Sequence, residues 1–182
     1  MLKNTKTGYG LISRSLHWVM VLLLTTLFIM GLYMTSLDYY DPLYHSLPWW
    51  HKSMGLLVFF LLVKRVLWKL INPQPTPLKT HQQWEQIVAK LTHTLFYLLI
   101  FSIVVSGYFI STAKGKGIEF FNLFEIPAIT TQLQEETADL IGNAHEIMAI
   151  SLAVLVVLHA LAALKHHFID KDNTLKRMIS KD

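Results

Sequence analysis

The sequence predicts an all-α fold, an integral membrane four-helix bundle with both termini in the cytoplasm. Three observations predict it. Four stretches approach the ~20 mostly apolar residues that a helix needs to cross a bilayer. None of the four contains proline, and the basic residues crowd toward one end of them.

Composition sets the frame. Hydrophobic residues make up 53% of the 182-residue chain and charged residues only 15%, against about 25% charged in a soluble domain. The length fits one membrane domain, 1–182. With no cysteine, disulfides, iron–sulfur clusters, thiolate zinc sites and covalent C-x-x-C-H haem attachment are all excluded. The net charge of +4 does not point to nucleic acid, because the basic residues flank apolar spans and form no groove-reading motif.

The spans are predicted at Ile12–Met34, Trp49–Trp68, Ile87–Ser111 and Ala144–Leu164. A proline-free helix satisfies its own backbone hydrogen bonds, as lipid demands. The first span is too long for a signal-peptide core and has no A-x-A-like site after it, so it reads as a retained helix. Lys3, Lys6, Arg14, Lys64, Arg65, Lys69, Lys79, Lys90, Lys165, Lys171, Lys176, Arg177 and Lys181 fall at one end, 13 of the 16 basic residues. Lys52, Lys114 and Lys116 fall at the other, among seven acidic residues. The positive-inside rule then places both termini inside.

The connections differ in character. Thr35–Pro48 is short and aromatic, and Trp49 and Trp50 after it suit a membrane interface. Pro73, Pro75 and Pro77 make the inner connection a stiff spacer. In the long outer loop 112–143, the segment Gly117–Pro127 is apolar enough to pack on the outer rim, and Thr137–Ala144 reads as a short helix leading into the fourth span.

Nine histidines carry the chemistry. His45, His81, His166 and His167 lie outside the spans and read as solvated or interfacial. His17, His51, His93, His145 and His159 lie within spans or at their edges, where an ionisable residue is costly and functional by default. His17 and His159 are near the inner end, His51 and His145 near the outer end. On the fourth span, His145 and His159 stand at positions i and i+14, nearly four helical turns apart. Both therefore face one way, roughly 21 Å apart along the axis. That gap argues against a single zinc or copper sphere, which would gather its ligands at one point. Two depth-matched pairs instead suit two planar haems, each with an imidazole on either face, an arrangement that favours electron transfer over oxygen binding.

The same i, i+14 interval recurs elsewhere, from His17 to Gly31 and from His93 to Gly107. Each glycine thus lies on its histidine's face at the outer depth, where it offers clearance for the outer macrocycle or ordinary small-residue packing. Gly55 lies one turn from His51. His93 is left with two open readings: a partner for a propionate or a quinone, or a satisfied polar residue.

Arg14-Ser15-Leu16-His17-Trp18, His51-Lys52-Ser53-Met54-Gly55 with Lys64-Arg65, His93-Thr94-Leu95-Phe96-Tyr97, Asn143-Ala144-His145-Glu146, and His159 to Ala163 through His166-His167 are familiar in this order. So is the tail Lys171-Asp172-Asn173-Thr174-Leu175 with Arg177-Met178. Nearly the whole chain resembles the bacterial cytochrome b561 family of four-helix di-haem membrane proteins. The resemblance implies two haem b groups, one on His17 and His159 and one on His51 and His145, in the bacterial inner membrane. It also implies ubiquinone as acceptor and, for at least some members, superoxide as donor. Lys52, next to His51, would then suit an anionic donor, as would Lys114 and Lys116, and His93 is the candidate to assist a propionate or a quinone and its protons. No protein partner is required. The competing readings are a haem-bearing anchor subunit for a partner oxidoreductase and a histidine-lined metal transporter.

Overall fold

The computed structural model describes residues 1–78 and 80–180; Lys79 and Lys181, counted above with the basic end, lie outside the described residues. Four long helices dominate: α1 Leu11–Met34, α2 Ser46–Ile71, α3 Gln83–Thr112 and α4 Glu135–Phe168. A two-stranded antiparallel hairpin, β1 Ile118–Phe120 and β2 Phe124–Ile126, and a short α5, Lys176–Ile179, complete the fold. α1 packs on α2, α2 on α3 and α3 on α4, while α1 and α4 meet only sparsely. The helices thus form a ring that is loosest between its first and last members.

α1, α3 and α4 are each long and apolar enough to cross a membrane. α2 has 26 residues but is not among these three. Lys52, Lys64, Arg65 and Lys69 lie along it and lower its mean hydropathy. Pro48 sits in its first turn, where a missing N–H costs nothing.

Lipid-facing chemistry shows in what the bundle leaves uncovered. Leu22, Ile29, Leu98, Phe101, Val154, Leu158 and Leu161 are all exposed. In water such a surface would aggregate; against acyl chains it is matched, and helices then associate through close packing and polar contacts. The buried core is correspondingly small. Met20, Leu27, Val58, Leu62, Ile100 and Leu152 form it, with Leu24 packed against it.

At the end carrying the termini, the segments knit together. Asn4 donates to the Pro73 carbonyl (3.0 Å), Trp18 Nε1 to the Met178 carbonyl (2.8 Å) and Arg177 to the Thr76 carbonyl (2.9 Å). Gln82 and Glu85 close a reciprocal cap on α3, and Lys165 of α4 reaches Glu85 at 3.1 Å.

At the other end the apolar loop segment folds as the hairpin. Phe121 and Asn122 both adopt positive φ, 48° and 57°, as a tight hairpin turn requires. The turn is held by Ser53 of α2, fully buried, which donates to the Glu119 carbonyl (3.1 Å) and accepts from the Phe121 amide (3.3 Å). Trp49 Nε1 adds a bond to Glu119 Oε2 at 3.3 Å. The stretch 137–144 is not a separate helix. It continues α4, which starts at Glu135.

Ser53→Ala leaves the part-buried Glu119 carbonyl and Phe121 amide without their partner, and is expected to destabilise by about 1–3 kcal/mol in thermal unfolding in detergent. Ser36→Ala, at an exposed helix end, should stay within about 0.5 kcal/mol. Equal effects would deny the hairpin its anchor on α2.

Candidate functional site

The histidines occupy two layers. His51 near the start of α2 and His145 in the first half of α4 make the layer toward the hairpin. His17 near the start of α1 and His159 toward the end of α4 make the layer toward the termini. All four are half-buried. The buried core lies between the layers. Val58 is seven residues from His51, Ile100 seven from His93, and Leu152 seven from both His145 and His159. Seven residues are nearly two turns, so each of these side chains shares its histidine's face. The result is an apolar waist with a polar layer above and below it.

In the hairpin-side layer each imidazole lies against a glycine. A Cβ added at Gly31 would sit 3.6 Å from His51 Cε1, and one at Gly107 would sit 3.1 Å from His145 Cε1. The latter is tighter than ordinary contact. The glycines thus let the imidazole rings of other helices approach their backbones closely. Beside Gly55 a Cβ would meet nothing within 4 Å, so open space does exist one turn from His51.

Hydrogen bonds fix one tautomer in this layer. The Ser106 hydroxyl donates to the Ile103 carbonyl at 2.9 Å and lies 3.0 Å from His145 Nδ1. A serine has one proton to give, so His145 Nδ1–H donates to Ser106 and Nε2 keeps its lone pair. That is how a ligating imidazole is usually oriented. His51 Nδ1 is buried without a partner. An orphaned ring nitrogen and an anchored imidazole on facing helices suit a shared cofactor.

The layer toward the termini is arranged differently. Arg65 Nη2 lies 3.3 Å from His17 Nδ1, and Arg65 Nε reaches the Tyr97 hydroxyl at 3.4 Å. A guanidinium only donates, so His17 Nδ1 accepts and Nε2 carries the proton. His17 can offer Nε2 to a metal only once Arg65 turns to another acceptor. His159 packs edge-on against Phe96 (5.4 Å) and His93 (5.6 Å). His93 has an exposed side chain on α3, beside a ligand candidate.

Lys52 helps line an open cavity of about 340 Å³ with Met34, Leu37, Tyr44, His45 and Pro48. Lys114 and Lys116 are exposed at the far end of α3.

Sequence reasoning missed Arg65 and Ser106. Arg65 stands at i+14 from His51, the interval already noted on the other helices, so that signal was present. Ser106, beside Gly107, carried no such mark.

Comparison with known proteins gives a consistent picture. A family model described as prokaryotic cytochrome b561 matches residues 8–181. Cytochrome b561 homolog 2 of Escherichia coli (strain K12) is 46% identical over 178 residues, covering 98% of this chain and 94% of that protein. Cytochrome b561 homolog 1 of the same organism is 31% identical over 131 residues, 72% of this chain and 73% of that one. The probable superoxide oxidase CybB of Yersinia pestis is 30% identical over 176 residues, 95% and 96% of the two chains.

Ser106→Ala removes the acceptor that sets the His145 tautomer. It should cost about 1–3 kcal/mol, and it should broaden or shift the His145 signals in ¹⁵N spectra of histidine-labelled protein. Ser151→Ala, exposed on the same helix as His145, should do neither. Unchanged His145 signals would show that Ser106 does not fix the ring.

Proposed function

We propose, from the premise that this chain belongs to the prokaryotic cytochrome b561 family, that it is a di-haem electron carrier which oxidises superoxide and reduces ubiquinone. It is a multi-pass bacterial membrane protein of a family that binds haem b. The observation that carries the reading is the pair of histidine layers, set nearly four turns apart along α4 by His145 and His159 and divided by a dry waist.

All four long helices cross the membrane in this reading, α2 included. Its charges sit at Lys52 and from Lys64 onward, leaving the apolar run 53–63 between them. The positive end carries the termini and faces the cytoplasm of the bacterial inner membrane.

Haem b, when bound, supplies reversible one-electron iron chemistry. His51 and His145 would hold one group; His145 offers Nε2 because Ser106 takes its Nδ1 proton. His17 and His159 would hold the other. Arg65 is the residue to hold a propionate, and a carboxylate that drew its guanidinium away would free His17. Val58, Ile100 and Leu152 keep water from the space between the two sites.

The overall reaction balances as two superoxides giving up one electron each and leaving as dioxygen. Ubiquinone takes those two electrons with two protons to become ubiquinol. Lys52 opens on a cavity at the hairpin end, one residue from His51, and supplies positive potential for a small anion. His93 is exposed beside His159, where a lipid-borne quinone can reach it. Its imidazole can pass protons to a reduced quinone.

Stopped-flow mixing of the purified protein with superoxide, with and without ubiquinone, tests the reading. Ubiquinol should form in step with superoxide loss. Superoxide decay no faster than spontaneous dismutation, or decay without ubiquinol, would overturn it. If Lys52 steers the anion, Lys52→Glu should slow haem reduction about tenfold or more at low salt and flatten its dependence on ionic strength. An unchanged rate at low salt would remove Lys52 from donor capture.

A further inference from the structure

We propose that His81, His166 and Asp172 form a divalent-metal site, of zinc type, at the end of the bundle that carries the termini. It is separate from the four candidate haem ligands. His166 lies seven residues beyond His159, roughly 10 Å further along α4.

Three chain segments converge there. His81 lies in the connection just before α3, His166 in the last turn of α4, and Asp172 in the tail that follows. Their side chains are 18%, 14% and 4% exposed, so water does not dominate the cluster. Of the two readings of His81 and His166, solvated or interfacial, their partial burial leaves the interfacial one. The connection and the tail fold over each other, which sequence separation concealed.

The donor geometry is close to what a metal needs. His81 Nε2 is 2.9 Å from Asp172 Oδ2, and His166 Nδ1 is 3.7 Å from the same oxygen. The three donor atoms all lie within 4.8 Å of one another. Ligands about 2.0–2.1 Å from a tetrahedral zinc are roughly 3.3 Å apart, so the two measured edges bracket that value. The imidazole centroids are 4.6 Å apart with a 35° tilt.

An ordinary hydrogen-bond network explains only part of this. His81 Nε2 is served by Asp172 and by Thr174 Oγ1 at 3.0 Å. The Thr174 amide donates to Asp172 Oδ1 at 2.8 Å, which orients the carboxylate. His166 Nδ1 is buried and has no hydrogen bond, although Asp170 Oδ2 lies only 2.7 Å away. That contact is a close i, i+4 pair within α4 and its tail, and Asp170 also takes Lys165 at 2.8 Å. His166 Nδ1 thus stands against Asp170 and faces the Asp172 oxygen that His81 also meets, so a cation held by His81, His166 and Asp172 would sit where these three donors converge. Two imidazoles and a carboxylate suit zinc among the common divalent ions. A water molecule completes the fourth position. The ion would fasten the proline-bearing connection and the tail to α4 and thereby close this end of the bundle.

The test uses the purified protein with its haem retained, treated with chelator and titrated with zinc chloride by calorimetry. One equivalent should bind with a dissociation constant at or below about 1 µM, with the haem absorption unchanged. His81→Ala and His166→Ala should each weaken binding by at least about 100-fold, and His45→Ala should not. Zinc-edge X-ray absorption of the wild-type protein should show two imidazole ligands, a readout that holds even if a variant folds poorly. No saturable site, undiminished binding in the His81→Ala/His166→Ala double variant, or all-oxygen coordination would overturn the proposal.

Discussion

The structure depends on one spacing. A helix repeats its face nearly every seven residues, and this chain uses that interval twice over. Polar residues or glycines fall at the two ends of each doubled interval and an apolar residue falls at its middle. α4 reads His145, Leu152, His159; α2 reads His51, Val58, Arg65; α1 reads His17, Leu24, Gly31; α3 reads His93, Ile100, Gly107. The four midpoints belong to or pack against one buried cluster. Moving any histidine by two residues would turn it away from its layer and bring a polar group toward the waist or the lipid.

This pattern also explains the economy of the core. A bundle in water must bury most of its apolar surface, whereas here lipid covers the outside and only the waist need be dry. α1 and α4, which meet only sparsely, carry His17 and His159. Close backbone approach is instead reserved for the hairpin-side layer, where Gly31 and Gly107 receive the imidazoles of other helices. The two layers are thus unequal. One is tightly set around an oriented His145. The other is governed by Arg65, which lies against His17 and Tyr97.

Much of this was legible in the sequence, because helical periodicity and hydropathy are local properties. The His145–His159 spacing and the depth of the other histidines follow from chain position alone. Arg65 was countable by the same interval, but its charge read as an inner flank. What the sequence hid were contacts between distant segments. Ser53 carrying the hairpin spans 66 residues and His81 meeting Asp172 spans 91, and nothing local announces either. The long α4 exceeded its apolar span because Glu135 and Glu136 favour a helix start, an effect that hydropathy ignores.

The central claim is that two histidine layers hold two separate cofactors. Haem-to-protein stoichiometry of the purified chain, combined with low-temperature electron paramagnetic resonance of the oxidised state, tests it most directly. The account predicts two haem b per chain, both low-spin with bis-imidazole signatures. A single haem per chain, or a high-spin signal from one of two, would contradict it.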